Sequence, residues 1–252
     1  MITREQLTEL ARQNNINPYY QEKDYVIHIF LKSLYEREDG MVFKGGTCLK
    51  VAYNHPRFSE DLDFNTNKNP SAVKKLVDRT IKAYANLGIE YEIAKEETFK
   101  ESYTTKIRFK GPLYSNRLDS TNTIQLDIGL RDPVLLEPSW RRVISPYPDV
   151  PNYIVYAMRL EEIHAEKIRA LLTRHKGRDL YDLWMLNSQV HPNKKLVNKK
   201  VKLIKQGAIL PTEEEYNNDI QNLLPKPPPY RQVRKEVEEM LGKLLKKDST
   251  KL

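Results

Sequence analysis

Met41-Val42-Phe43-Lys44 reads as a short strand, Gly45-Gly46-Thr47 as a turn, and residues 48–53 as a helix. Arg57-Phe58-Ser59-Glu60 then leads into a second strand, Asp61-Leu62-Asp63-Phe64. Side chains alternate across a strand, so Asp61 and Asp63 share one side, roughly 6–7 Å apart along the backbone. Two carboxylates that close oppose each other's charge unless a cation lies between them. Mg²⁺ is held in this way, by one or two carboxylates together with substrate phosphates. The Gly-Gly turn that opens a helix supplies free backbone N–H groups and a positive dipole end, both suited to a triphosphate. An Asp-x-Asp pair alone is often only a solvated strand end. The glycine turn upstream places a phosphate site beside it.

On either side, the pattern extends into a sheet with helices. Asn17-Pro18 starts a helix, with Asn as cap and Pro in the first turn. Tyr25, Val26, Ile29, Phe30, Ser33 and Leu34 then form one stripe that packs on a core. Ser71 is expected to cap a further helix bearing Val73, Leu76, Val77, Ile81 and Tyr84 and ending near Gly88. Strands are expected at 90–93, 104–109 and 123–130, with 111–122 as a loop. The order α-β-α-β-α-β-β-β is that of a mixed sheet with helices on it, an α/β or α+β domain.

Pro133, Pro138, Pro146, Pro148 and Pro151 predict an irregular crossing segment over 133–152. Beyond it the pattern turns helical. Leu160, Ile163, Ile168, Leu171 and Leu172 mark one helix, and Leu180, Leu183, Trp184 and Leu186 the next. Further helices are expected over 196–209, before Leu224 and over 233–245, with the proline-rich 225–229 as a stiff linker. The expected organisation is a catalytic core with N-terminal helices over 1–150 and a helical, basic lobe over 151–252.

Charge follows that division. Residues 1–140 hold 20 Lys+Arg against 20 Asp+Glu, and the remaining 22 against 14 make up the whole net charge of +8. A basic lobe beside a neutral one suits an enzyme that holds a polyanion, although a Lys-rich helical surface has the same composition. Cys48 is the sole cysteine, so an intrachain disulfide and a thiolate metal cluster are both excluded. No stretch approaches the roughly 20 apolar residues of a spanning helix, and the N-terminus is charged where a signal peptide is apolar. A cytoplasmic location with no membrane partner is expected. His28, His55, His164, His175 and His191 are scattered without zinc-site spacing.

Two more groups carry chemistry. In Thr123-Ile124-Gln125-Leu126-Asp127-Ile128, apolar and polar residues alternate, so Asp127 faces the polar side. As a third carboxylate it would complete a two-metal site with Asp61 and Asp63 and could take the proton from an attacking hydroxyl. Lys167 and Arg174 are seven apart, two helical turns, and share a face that Arg178 extends. A positive edge facing a carboxylate–metal site suits a triphosphate. Asp179 and Asp182 open the next helix, where they could cap it or orient Lys167 and Arg174 by ion pairing.

Phe43-Lys44-Gly45-Gly46-Thr47-Cys48-Leu49-Lys50 and Arg57-Phe58-Ser59-Glu60-Asp61-Leu62-Asp63-Phe64 resemble the AbiEii/AbiGii toxin family of nucleotidyltransferases. So do Glu22-Lys23-Asp24-Tyr25, Glu166-Lys167-Ile168-Arg169-Ala170-Leu171 with Arg174, and Arg178-Asp179-Leu180-Tyr181-Asp182-Leu183. The resemblance spans roughly residues 20–190 and leaves 191–252 uncovered. It implies a polymerase-beta-like core with a helical C-terminal lobe, and magnesium (or Mn²⁺) on Asp61 and Asp63 with Asp127 as third ligand. It places Ser59 near the bound nucleotide and Lys167 on the triphosphate, and matches the carboxylate that follows to Asp179 or Asp182. It also implies a toxin of a type IV or phage-abortive system, with a cognate antitoxin, that transfers nucleotides to the tRNA 3′ end and stops translation. The family often has Gly-Ser where this chain has Gly45-Gly46, so a hydroxyl contact to phosphate is lost or passes to Thr47.

The reaction expected is attack by an acceptor hydroxyl, that of tRNA or another RNA, on the α-phosphate of an NTP. A protein-modifying or kinase-like enzyme, with a protein hydroxyl as acceptor, would use the same centre. A non-catalytic RNA-binding module is the other alternative, against which the intact carboxylates and Lys167 argue.

Overall fold

Asn17 and Pro18 begin a helix as expected: the Asn17 side chain accepts from the Tyr19 amide, and α2 runs Pro18–Tyr35. The computed structural model describes residues 1–37, 40–201 and 210–245. These form two units, Met1–Met158 and Arg159–Leu252.

In the first unit, α1 (Arg4–Asn14) precedes α2, and β1 (Val42–Lys44), α3 (Gly45–Tyr53) and β2 (Asp61–Asn65) follow it. Then come α4 (Pro70–Thr80), α5 (Lys82–Asn86), β3 (Glu90–Thr98), β4 (Ser102–Lys110), β5 (Asn122–Gly129), β6 (Ser139–Val143) and β7 (Tyr153–Ala157). The strands form one mixed sheet in the order β3-β4-β5-β2-β1-β7-β6. β2 pairs parallel with β5, and β1 with β7; the other neighbours are antiparallel. The architecture is the mixed α/β class that the order of elements predicts.

One sheet face is dry. Leu62 and Phe64 of β2, Ile124, Leu126 and Ile128 of β5, and Tyr103, Ile107 and Phe109 of β4 are buried together with Tyr25, Val26, Ile29 and Phe30 of α2. Helices α2 and α3 are tied to each other, Lys50 of α3 pairing with buried Asp24 of α2. Trp140 of β6 meets Tyr35 of α2 edge-on, whereas Arg141, one residue on, lies over the Tyr53 ring of α3, 4.8 Å from its centroid. Helix α3 packs against β1, β2, β6 and β7.

Several boundaries differ from expectation. Asn69, not Ser71, caps α4: its side chain accepts from the Ala72 amide and Pro70 takes the first turn, as in α2. β3 runs on to Thr98 because a bulge between Ile93 and Lys95 resets its register and breaks the alternation. The proline-rich segment contains β6, since no proline falls within Ser139–Val143. β7 and α1 were not anticipated. Residue 150 precedes β7, which bridges β1 and β6.

In the second unit, α6 (Leu160–Arg174), α7 (Gly177–Leu186), α8 (Lys194–Val201), α9 (Glu213–Ile220) and α10 (Tyr230–Leu245) follow the helical pattern. The helix expected over 196–209 is seen as α8; its remainder lies outside the described residues. Among the described residues no helix is long and apolar enough to cross a membrane.

Candidate active site

The sheet register assembles the carboxylates. Asp61 opens β2, and Asp61 and Asp63 stand half-buried on either side of buried Leu62. Across the parallel pair, Asp63 is opposite Asp127 and Asp61 opposite Gln125. Residues opposite each other in a ladder share a face, and neighbouring strands lie about 4.8 Å apart. Three carboxylates sequence analysis singled out therefore share one half-exposed face. Gln125 Nε2 donates to Asp127 Oδ1 at 3.3 Å and fixes that side chain. Lys44 of β1 stands opposite Asp63 on the other side.

The glycine turn fits closely against this centre. Gly45 has a left-handed φ of +76°, a conformation that disfavours any Cβ. A Cβ there would lie 2.2 Å from Asp63 Oδ2, so the turn backbone packs directly on the carboxylate. At Gly46 a Cβ would meet Arg57 Nη2 at 2.6 Å and Ser59 Oγ at 2.8 Å. Arg57 and Ser59 thus fill the space that a Gly-Ser sequence would use. The α3 N-terminus has no side-chain cap from Lys44.

The sequence left the phosphate-contacting hydroxyl either lost or passed to Thr47. It is fully buried; its hydroxyl donates to the Asp61 carbonyl and lies 3.0 Å from Ser59 Oγ. It ties α3 to the start of β2 rather than offering its hydroxyl to phosphate. Cys48 is buried, and burial, with Asp63 nearby, pushes its thiol well above the ordinary range. It is a packing residue.

A polar network that the sequence did not signal as one assembly holds the strand-entry loop. Lys23 of α2 pairs with Glu60, Lys50 of α3 pairs with buried Asp24 of α2, and the Lys50 ammonium lies over the Phe58 ring. Tyr147 donates to Asp24 at 2.7 Å. Burial pushes the Asp24 carboxyl up, but Lys50 and His28 outweigh it and hold it below its usual value. The Glu22 carboxyl is raised by burial despite bonds from the Leu113 amide and Asn122. The only sequence cue was Glu22-Lys23-Asp24 itself.

In the second unit, Lys167 lies buried on α6, with Nζ 2.9 Å from Asp179 and 2.6 Å from Asp182 of α7. Arg174 forks onto Asp179 at 2.6 and 2.8 Å. Burial pushes the Asp179 carboxyl up, yet Lys167 and Arg174 hold it below its usual value. Asp179 and Asp182 thus orient the two cations; the α7 cap residue is Lys176. Gly177 is packed so closely that a Cβ would fall 2.5 Å from Tyr216 Cα.

Oxygen-only donors suit a hard divalent cation. Among the described residues no three Asp, Glu, His or Cys side chains converge closely enough to hold a metal unaided.

Residues 29–251 match the family described as nucleotidyl transferase AbiEii toxin, type IV TA system. The fold is similar to that of MenT4, a nucleotidyltransferase toxin from Mycobacterium tuberculosis. That match has 18% identity and a TM-score of 0.74, and covers 99% of this chain and 91% of that one. It is also similar to JHP933 from Helicobacter pylori, at 22% identity and TM-score 0.62, covering 91% and 93%. A putative nucleotidyltransferase from H. pylori matches at 24% identity and TM-score 0.60, covering 88% and 92%. No curated protein matches the chain.

Proposed function

The chain belongs to the AbiEii family of nucleotidyltransferase toxins of type IV toxin–antitoxin systems, and from that premise we propose that it transfers a nucleoside monophosphate from an NTP to the 3′ hydroxyl of tRNA, blocking translation in the cytoplasm until a cognate antitoxin counters it. The observation that carries this reading is the register of Asp63 against Asp127, beside a glycine turn packed on Asp63.

In the proposed reaction the acceptor oxygen bonds to the α-phosphorus. The bond from that phosphorus to the oxygen bridging the β-phosphate breaks, and pyrophosphate leaves. Asp127 takes the hydroxyl proton. The amides of Gly45, Gly46 and Thr47 bind phosphate oxygens at the α3 N-terminus, and Ser59, beside Gly46, lines the same site. Asp61 and Asp63, with Asp127, would hold Mg²⁺ (or Mn²⁺), which supplies charge neutralisation and a more acidic hydroxyl. Lys167 and Arg174 are assigned to the triphosphate. Lys167 spends two of its three N–H donors on Asp179 and Asp182 and keeps a third.

The test is incubation with total tRNA, Mg²⁺ and each α-labelled NTP in turn, beside Asp63→Asn. Label in tRNA with wild type and none with the variant is expected. Label in protein instead would move the acceptor to a protein hydroxyl, and label nowhere would end the assignment.

A further inference from the structure

We propose that Lys106 of β4 binds a backbone phosphate of the acceptor RNA and so sets which strand can present its hydroxyl. The inference rests on the proposed function and goes beyond it by assigning an acceptor contact.

The ladder fixes where Lys106 lies. On the carboxylate face, Thr104 of β4 stands opposite Asp127, and Lys106 opposite Gln125. Gln125 in turn stands opposite Asp61. Lys106 is therefore two strands from Asp61, roughly 10 Å by strand spacing, and on the same face. The glycine turn lies on the other side of Asp63, next to β1. In-line displacement requires the acceptor to enter opposite the leaving pyrophosphate. With the triphosphate at the β1–α3 turn, the acceptor side is that of β5 and β4. Lys106 itself is exposed.

Charge singles Lys106 out. Of the four cations within β3 and β4, Lys95 pairs with Glu97, Arg108 with Glu92 and Lys110 with Glu90. Lys106 makes no ion pair among the described residues. It stands directly opposite Lys95 across the β3–β4 ladder, and like charges so placed destabilise a sheet. A phosphate there would relieve the repulsion and use the free ammonium. A nucleotide or a protein acceptor would need a different contact set: the first belongs at the glycine turn, and the second would bring no regular phosphate.

The experiment uses the full chain and compares wild type with Lys106→Gln, Lys106→Arg and Lys95→Gln. tRNA binding is read by fluorescence anisotropy across a salt series, NTP binding with a non-hydrolysable analogue, and transfer by label incorporation. Lys106→Gln should weaken tRNA binding about fivefold to tenfold and lower the salt slope by about 0.7–0.9, as for one lost phosphate contact. The KM for tRNA should rise, while NTP affinity stays unchanged and the melting temperature stays the same or rises slightly. Lys106→Arg should restore binding, and Lys95→Gln should weaken it less than Lys106→Gln does. Equal tRNA affinity and slope in Lys106→Gln, or an equal loss of NTP affinity, would overturn the inference. Failure of wild type to label any RNA would instead sink the proposed function, and the binding series would still decide Lys106.

Discussion

At the scale of single residues, the site depends on a few close approaches. Asp63 has Gly45 against one oxygen and Asp127 across the ladder. Asp63→Asn keeps the shape and removes the charge, so transfer should fall at least on the order of a hundredfold with an unchanged melting temperature. A variant that still transfers at near wild-type rate would remove Asp63 from the centre. Gly45→Ala should act differently. It adds a Cβ 2.2 Å from Asp63 Oδ2 at a φ of +76°, so it should cost about 1–2 kcal/mol and lower the melting temperature by a few degrees. NTP binding should fall with it, since the amides move with the turn. Period-2 alternation was enough to place Asp61 and Asp63 on one face. The pairing of Asp63 with Asp127 was not legible, because sequence carries no register between strands that are not consecutive. Nor was the burial of the Thr47 hydroxyl, which depends on how closely β2 approaches α3.

The elements were legible where a cap or a stripe marked them. Asn17-Pro18 gave the start of α2, and the apolar spacing gave α4, α6 and α7. β6 was hidden by the prolines around it, and the bulge in β3 concealed half of that strand. The cluster under α2 was opaque because Lys23, Asp24, His28, Lys50, Tyr147 and Tyr153 come from distant segments. His28 illustrates its consequence. Burial lowers its pKa to about 4, against the opposing pull of Asp24, and Tyr153 contacts its Nδ1 at 3.0 Å. The folded chain thus resists a proton that the unfolded chain takes up near pH 6.5. Stability from this group is full above about pH 6.5 and is lost as pH falls towards 4, on the order of 3 kcal/mol in all. Denaturation midpoints should therefore drop between pH 7 and 5, and less so in His28→Gln. An identical drop in both proteins would exclude His28 as the cause.

At the scale of the whole chain, two units and an uneven charge make separable claims. The first unit runs to Met158, because β7 supplies a parallel partner to β1 and an antiparallel one to β6. A fragment of residues 1–158 should therefore unfold in one cooperative transition. A fragment of residues 1–150 lacks β7, leaves two strands without their shared neighbour, and should melt several degrees lower or without cooperativity. Residues 159–252 hold 20 Lys+Arg against 13 Asp+Glu, so nearly all the positive excess is absent from the 1–158 fragment. If that excess serves a polyanion, the fragment should bind tRNA much more weakly than the full chain and with a shallower dependence on salt. NTP binding at the glycine turn needs none of that charge and should survive in part. A fragment that bound tRNA as tightly as the full chain, with the same salt slope, would assign the RNA contact to the β4 face and its surroundings, and would leave the basic helices as a solvated surface.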